Sequence, residues 1–159
     1  MTTKSEKSVI KQGGVKNTSR SASRLAVAQA LYQMEMSDQL SGPVIAEFIE
    51  HRLGEVIEGD HYAEADRIFF ADIVKGVEER GADIDIHVAG SLTEDWTLAR
   101  IEPVARAILR AGTYELMARP DVPTSVVINE YVDVAKAFFE DSKPGFINGV
   151  LDRIAHIIR

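Results

Sequence analysis

Two helical stripes of apolar residues flank a short polar turn between Asp121 and Ile154, and this arrangement limits that part of the chain to a helical hairpin. In the first stripe Val127, Tyr131, Val134, Ala135 and Phe138 recur at helical spacing, with Glu130, Asp133, Lys136 and Glu140 on the other side. Pro123 ends whatever precedes it, and Thr124 and Ser125 are placed to accept the first free N–H groups. Asp141 to Gly145 is turn chemistry. Beyond it Phe146, Val150, Ile154 and Ile157 predict a second stripe, with Asn148, Asp152 and His156 facing away.

The same period runs through the rest of the chain. A helix beginning at Thr18 or Ser19, either hydroxyl serving as cap, is expected to bury Leu25, Ala28, Leu31, Tyr32 and Met36. Pro43 to Leu53 predicts another, through Val44, Ile45, Phe48, Ile49 and Leu53, before a looser stretch from Gly54 to Asp60. Ala63 to Arg80 carries Ile68, Phe69, Ile73, Val74 and Val77 and meets a natural stop at Gly81. A shorter helix is expected from Asp83 to Leu92, with Ile84, Ile86 and Val88. Pro103 opens the expected central core helix, where Val104, Ala107, Ile108, Ala111 and Leu116 are apolar and Gly112 implies close packing. The fold class is therefore all-α, a compact bundle of about six to seven helices.

With 159 residues, 45% of them hydrophobic, the chain can bury one core. Residues 19–159 form the expected single domain, and residues 1–18, polar and broken by Gly13 and Gly14, read as a disordered basic tail. No apolar run is long enough for a bilayer and the N-terminus lacks a signal-peptide pattern, so a cytoplasmic address is expected. The absence of cysteine excludes disulfides, thiolate catalysis and cysteine-ligated zinc.

The net charge of −7 is unevenly spread. Residues 1 to 24 hold six cations (Lys4, Lys7, Lys11, Lys16, Arg20, Arg24) against Glu6 alone, a net +5 that leaves −12 on the remainder. An acidic body with a basic arm suits an anionic partner held at one end, because charges farther apart than about 8 Å are largely screened in physiological salt. A soluble tail with scattered lysines is the plainer explanation. Arg20 and Arg24, four apart at a helix start where cations are disfavoured by the dipole, suggest a use; Lys16 extends their line, and phosphate oxygens suit all three.

Three motifs in order resemble the NusB family of bacterial antitermination factors. They are Arg24 with Ala30-Leu-Tyr32; Ala107-Ile-Leu-Arg110 with Tyr114-Glu-Leu116; and Val127-Ile-Asn-Glu130, Ala135 to Phe138 and Phe146 to Asp152. The likeness spans about Arg20 to Arg159. It implies a small all-helical protein that binds single-stranded boxA-like RNA together with the ribosomal protein NusE. That protein would join a transcription elongation complex with other Nus factors and help RNA polymerase pass terminators, notably in ribosomal RNA operons. Three positions depart from the family's pattern: Arg20-Ser-Ala-Ser-Arg24 is less arginine-dense, Ala105 replaces a common acid before Arg106, and Phe139 stands where glycine is common.

RNA recognition needs cations, a flat group for an unstacked base and polar edges. Lys16, Arg20 and Arg24 are the expected phosphate contacts, Lys143 a neighbouring cation, and Tyr32 a border residue. Phe146 is either a core plug or a base-stacking ring, and the resemblance favours stacking because the matching aromatic lies beside RNA in the family. Arg106 and Arg110, with Glu115, are expected to meet the protein partner, intramolecular ion pairing being the alternative. Phe146 and Lys143 share one RNA site with Arg20 and Arg24 only if folding brings the two pairs together. No catalytic role, metal or cofactor is expected. His51, His61, His87 and His156 lack paired ligand spacing, and acidic pairs such as Glu78-Glu79 and Glu94-Asp95 read as solvated faces. The rival reading is a protein-binding helical adaptor or homodimer in which RNA is secondary.

Overall fold

The computed structural model describes residues 19–53 and 66–159, and their regular structure is helical throughout. The basic tail, Lys16, His61, the loose Gly54–Asp60 stretch and the expected helix start at Ala63 lie outside the described residues. Seven α-helices are described: α1 (Ser19–Ser37), α2 (Ser41–His51), α3 (Arg67–Glu79), α4 (Gly81–Gly90), α5 (Pro103–Ala118), α6 (Thr124–Phe138) and α7 (Lys143–Ile158). A 3₁₀ turn, Leu98–Arg100, precedes α5.

Helix α5 is the centre of the bundle, packed against α1, α3, α4, α6 and α7. Pro103 sits in its first turn, as expected, and eleven of its sixteen residues are buried. Gly112 allows α7 to approach: a Cβ there would sit 3.0 Å from both methyl carbons of Leu151. Gly76 does the same for α3, since a Cβ there would collide with the Tyr114 ring. Phe48 and Phe70 stack at 5.5 Å between ring centres and join α2 to α3.

Several expected faces are rotated. In α1 the buried side is Ser23, Arg24, Ala26, Val27, Ala28, Ala30 and Leu31, while Leu25, Tyr32 and Met36 are exposed. The inward face is mostly small residues because α1 packs against several helices, with Arg24 and Leu31 the large exceptions. Ile68 is 84% exposed and Ile86 and Ile157 also face outward. Each sits beside better-placed apolar residues: Phe69 and Phe70, Ile84 and Val88, and Ile154. Asn148, Asp152 and His156 do face solvent.

Helix ends also differ from expectation. Helix α3 does stop just before Gly81, but Gly81 is also the first residue of α4, with Arg80 alone bridging the two helices. Glu78 is more than a solvated carboxylate, because it accepts from the Ser41 N–H at 2.9 Å and the Ser41 hydroxyl at 2.5 Å, closing the start of α2 from another helix. Thr124 and Ser125 make no side-chain cap on α6; the Thr124 hydroxyl accepts from Arg159 at 3.0 Å instead. Helix α7 starts at Lys143 with Pro144 in its first turn, so the hairpin turn is shorter than Asp141 to Gly145.

Candidate nucleic-acid interface

The start of α1 lies against the end of α5. Arg24 is 3% exposed, and its guanidinium grips fully buried Glu115 with two parallel bonds, 2.7 Å from Nε and 2.9 Å from Nη2. Its Nη1 donates to Glu130 at 3.0 Å, and Glu130 also accepts from the Ser21 hydroxyl at 2.6 Å. The Tyr131 hydroxyl donates to Glu115 at 2.6 Å. Burial alone would lower the pKa of Arg24, but the bond to Glu115 and its charge outweigh that and raise it above the ordinary value. Arg24 is therefore a buried structural cation, corrected from phosphate contact, and Glu115 is too enclosed to touch a protein partner. Glu130, expected on the outer face of α6, is inside for the same reason.

Arg20 remains available at this end. It is half-buried, with its guanidinium 4.4 Å from the Phe69 ring centre, a ring also overlain by Arg24 at 4.9 Å and Arg119 at 5.1 Å. Arg119 is tied to Asp72 at 3.1 Å and Asp121 at 3.4 Å. Asp121 is held below the usual carboxylate range, first by its hydrogen bond from Arg119.

At the other end of α5, Arg106 pairs with Glu35 and donates to the carbonyls of Ile101 at 2.5 Å and Leu98 at 3.2 Å. Arg110 binds Asp85 in parallel, at 2.8 and 3.0 Å, and reaches Glu35 at 3.4 Å. Both arginines are engaged within the fold, the alternative left open for them. Since Arg24 faces Glu115 and Glu35 faces Arg106, α1 runs antiparallel to α5.

Lys143 and Phe146 belong to this second end. The Lys143 ammonium lies 2.9 Å from Asp141, 3.8 Å from Glu102 and 5.1 Å from the Phe139 ring centre. Its pKa is raised, foremost by the Asp141 hydrogen bond, and that of Asp141 is lowered by the same contact. Phe146 is half-buried against Trp96, ring centres 5.7 Å apart and planes tilted by 49°. Glu102 and Glu115 are thirteen residues apart along α5, about 20 Å of helix. The structure thus does not bring Arg20 and Arg24 alongside Phe146 and Lys143; the expected single site is two regions at opposite ends of α5.

Tyr32 lies on a mostly apolar groove of about 560 Å³ that reaches Val104 at the start of α5; Ala28, Met36 and Phe138 line it with Tyr32, and Gln33 and Arg52 add polar groups. Periodicity points to Tyr32, Met36 and Phe138 as core, so this surface was legible only as misplaced hydrophobics. Trp96 and Arg100 are also left out by a helical reading, because they sit in a polar turn; a lone tryptophan four residues before an arginine was the available signal. Among the described residues no group of three or more histidines and carboxylates is arranged to hold a metal, and no helix is long and apolar enough to cross a membrane.

Fold and surface together define an all-helical binding module. A NusB family model matches residues 21–156. The transcription antitermination protein NusB of Sphingopyxis alaskensis is 53% identical over 141 residues, 89% of this chain and 95% of that one. Its counterpart in Caulobacter vibrioides is 54% identical over 140 residues, 88% and 94% of the two chains. Among solved structures, T. maritima NusB matches with a TM-score of 0.70 at 32% identity, covering 86% of this chain and 90% of that one. A structure described as antitermination factors NusB and NusE in complex with dsRNA shares the fold, with a TM-score of 0.73 at 21% identity over 87% and 97%. This chain belongs to the NusB family of transcription antitermination proteins.

Proposed function

We propose that this protein acts in the cytoplasm as a non-catalytic adaptor. It binds a single-stranded boxA-like RNA together with the ribosomal protein NusE, joins other Nus factors on the elongation complex, and helps RNA polymerase read through terminators, notably in ribosomal RNA operons. The observation that carries this reading is identity of more than half with transcription antitermination proteins over almost the whole of their length. A fold neighbour containing NusE and RNA supports the choice of partners.

Phe146 stacks a base and Lys143 and Arg20 meet phosphates, with Lys16 joining them from the tail. Arg24 supports the Arg20 end from below, through Glu115 and Glu130. Arg110, the more open of the α5 arginines, borders the protein partner, and the apolar groove beside Tyr32 receives that partner. The groove also favours a second reading, a homodimer that covers the same surface.

Titration of labelled boxA-like RNA with purified protein, with and without NusE, at several salt concentrations tests this function. The logarithm of the affinity should fall with the logarithm of salt by about 0.7 per neutralised phosphate. No binding in either mixture overturns the RNA reading. Light scattering tests the dimer: a single-chain mass at working concentration excludes it.

A further inference from the structure

Trp96 is the single tryptophan of the chain, and the fold leaves 42% of it exposed in the turn between α4 and the 3₁₀ helix. An indole left this open gives up much of the apolar burial that such a large side chain offers. It is nevertheless held. Phe146 supports it from α7, and the Trp96 backbone N–H donates to the Thr93 carbonyl at 3.0 Å. The Arg100 guanidinium lies 5.3 Å from the indole centre and is fixed by a 2.6 Å bond to the Asp95 carbonyl.

A second arginine faces the same region. Phe146, Gly149 and Arg153 follow one another at helical spacing along α7, so they share a face. The Arg153 Nε donates to the Ser91 carbonyl at 2.8 Å, at the start of the Trp96 turn. Gly149 puts no side chain between them: a Cβ there would meet only Arg153 Nη1, at 3.8 Å. Among the described residues neither Arg100 nor Arg153 has a carboxylate within ion-pair distance. That sets them apart from Arg24, Arg106, Arg110 and Arg119, each of which is paired. The nearby acids are Glu94 and Asp95, exposed in the same turn, and Asp141 and Glu102, which are drawn to Lys143.

A flat exposed ring with a rigid backing, flanked by guanidinium groups with spare donors, suits a nucleobase and its neighbouring phosphates. We propose that Trp96, backed by Phe146, is a base-stacking platform for single-stranded RNA and that Arg100 and Arg153 hold the phosphates on either side. This rests on the RNA-binding reading above and adds residues to it from a turn outside the helical hairpin.

The lone tryptophan makes the test direct, because emission excited beyond the tyrosine absorption reports on Trp96 alone. A labelled single-stranded boxA-like RNA is titrated against the full chain, following its anisotropy and the protein's fluorescence together. The indole emission should fall in step with the anisotropy rise. Trp96→Leu, which keeps an apolar contact for Phe146, should weaken binding roughly 5- to 150-fold, and Trp96→Phe should restore part of the loss. Arg100→Gln and Arg153→Gln should each reduce the salt slope by about 0.7. RNA binding by anisotropy with Trp96→Leu equal to wild type overturns the platform and leaves the RNA reading standing. No anisotropy change for wild type, with or without NusE, overturns both.

Discussion

Arg24 shows how a single residue can be placed correctly on its helix and assigned the wrong task. Its spacing from Arg20 does put both side chains over Phe69. What local sequence does not contain is the pair of carboxylates it meets, 91 and 106 residues away. Removing the guanidinium leaves two enclosed acids short of a cation, so Arg24→Gln should cost about 3–5 kcal/mol, measured by urea unfolding. Stability equal to wild type with weakened RNA affinity would return Arg24 to the phosphate contacts. Tyr131 gives the same cluster a pH signature. Burial, then the Glu115 charge, raises its phenol well above the ordinary 10.0. A raised folded value means that the neutral phenol is favoured in the native state. Its contribution is complete below pH of about 10 and is lost as pH rises through the higher folded value. Tyr131→Phe should therefore lose less stability than wild type between about pH 10 and pH 11.5, read as urea midpoints against pH.

At the level of the helix, spacing identified segments more reliably than faces or ends. Helix α5 was legible because Pro103 marks its start and its apolar residues form a broad stripe. Gly76, which periodicity treats as an ordinary member of α3, proves to be where Tyr114 crosses on its way to Asp72, which accepts its hydroxyl at 3.0 Å. Gly76→Ala should destabilise the protein by about 1–3 kcal/mol through overpacking, detected as a lower thermal midpoint. Adding Tyr114→Leu should recover part of that loss, since the smaller side chain vacates the contact. An unchanged midpoint for Gly76→Ala alone would show that α3 and α5 can separate without cost. The start of α2 teaches a related lesson: its closing group, Glu78, comes from α3, so no local capping pattern could announce it.

Across the whole molecule, the separation of the two ends of α5 has a measurable consequence. Arg20 and Phe146 lie in regions about 20 Å apart along that helix, and residues so far apart with no shared partner act independently. Arg20→Ala and Phe146→Ala should then weaken RNA binding additively, within about 0.5 kcal/mol in a double-mutant cycle. A larger coupling would mean that RNA or the partner draws the ends into one site. Sequence alone determined that the chain is an all-helical bundle built around the Pro103 helix, with a closing hairpin of α6 and α7, because helical period, proline and turn chemistry are local signals. Its motifs also marked the NusB family. Tertiary structure alone decided which charges face water and which aromatics cluster. Arg24, Glu115 and Glu130 go inside because together they satisfy one another, and Trp96 meets Phe146 because α7 packs beside the turn that carries it. Those outcomes depend on contacts between residues tens of positions apart, where helical periodicity carries no information.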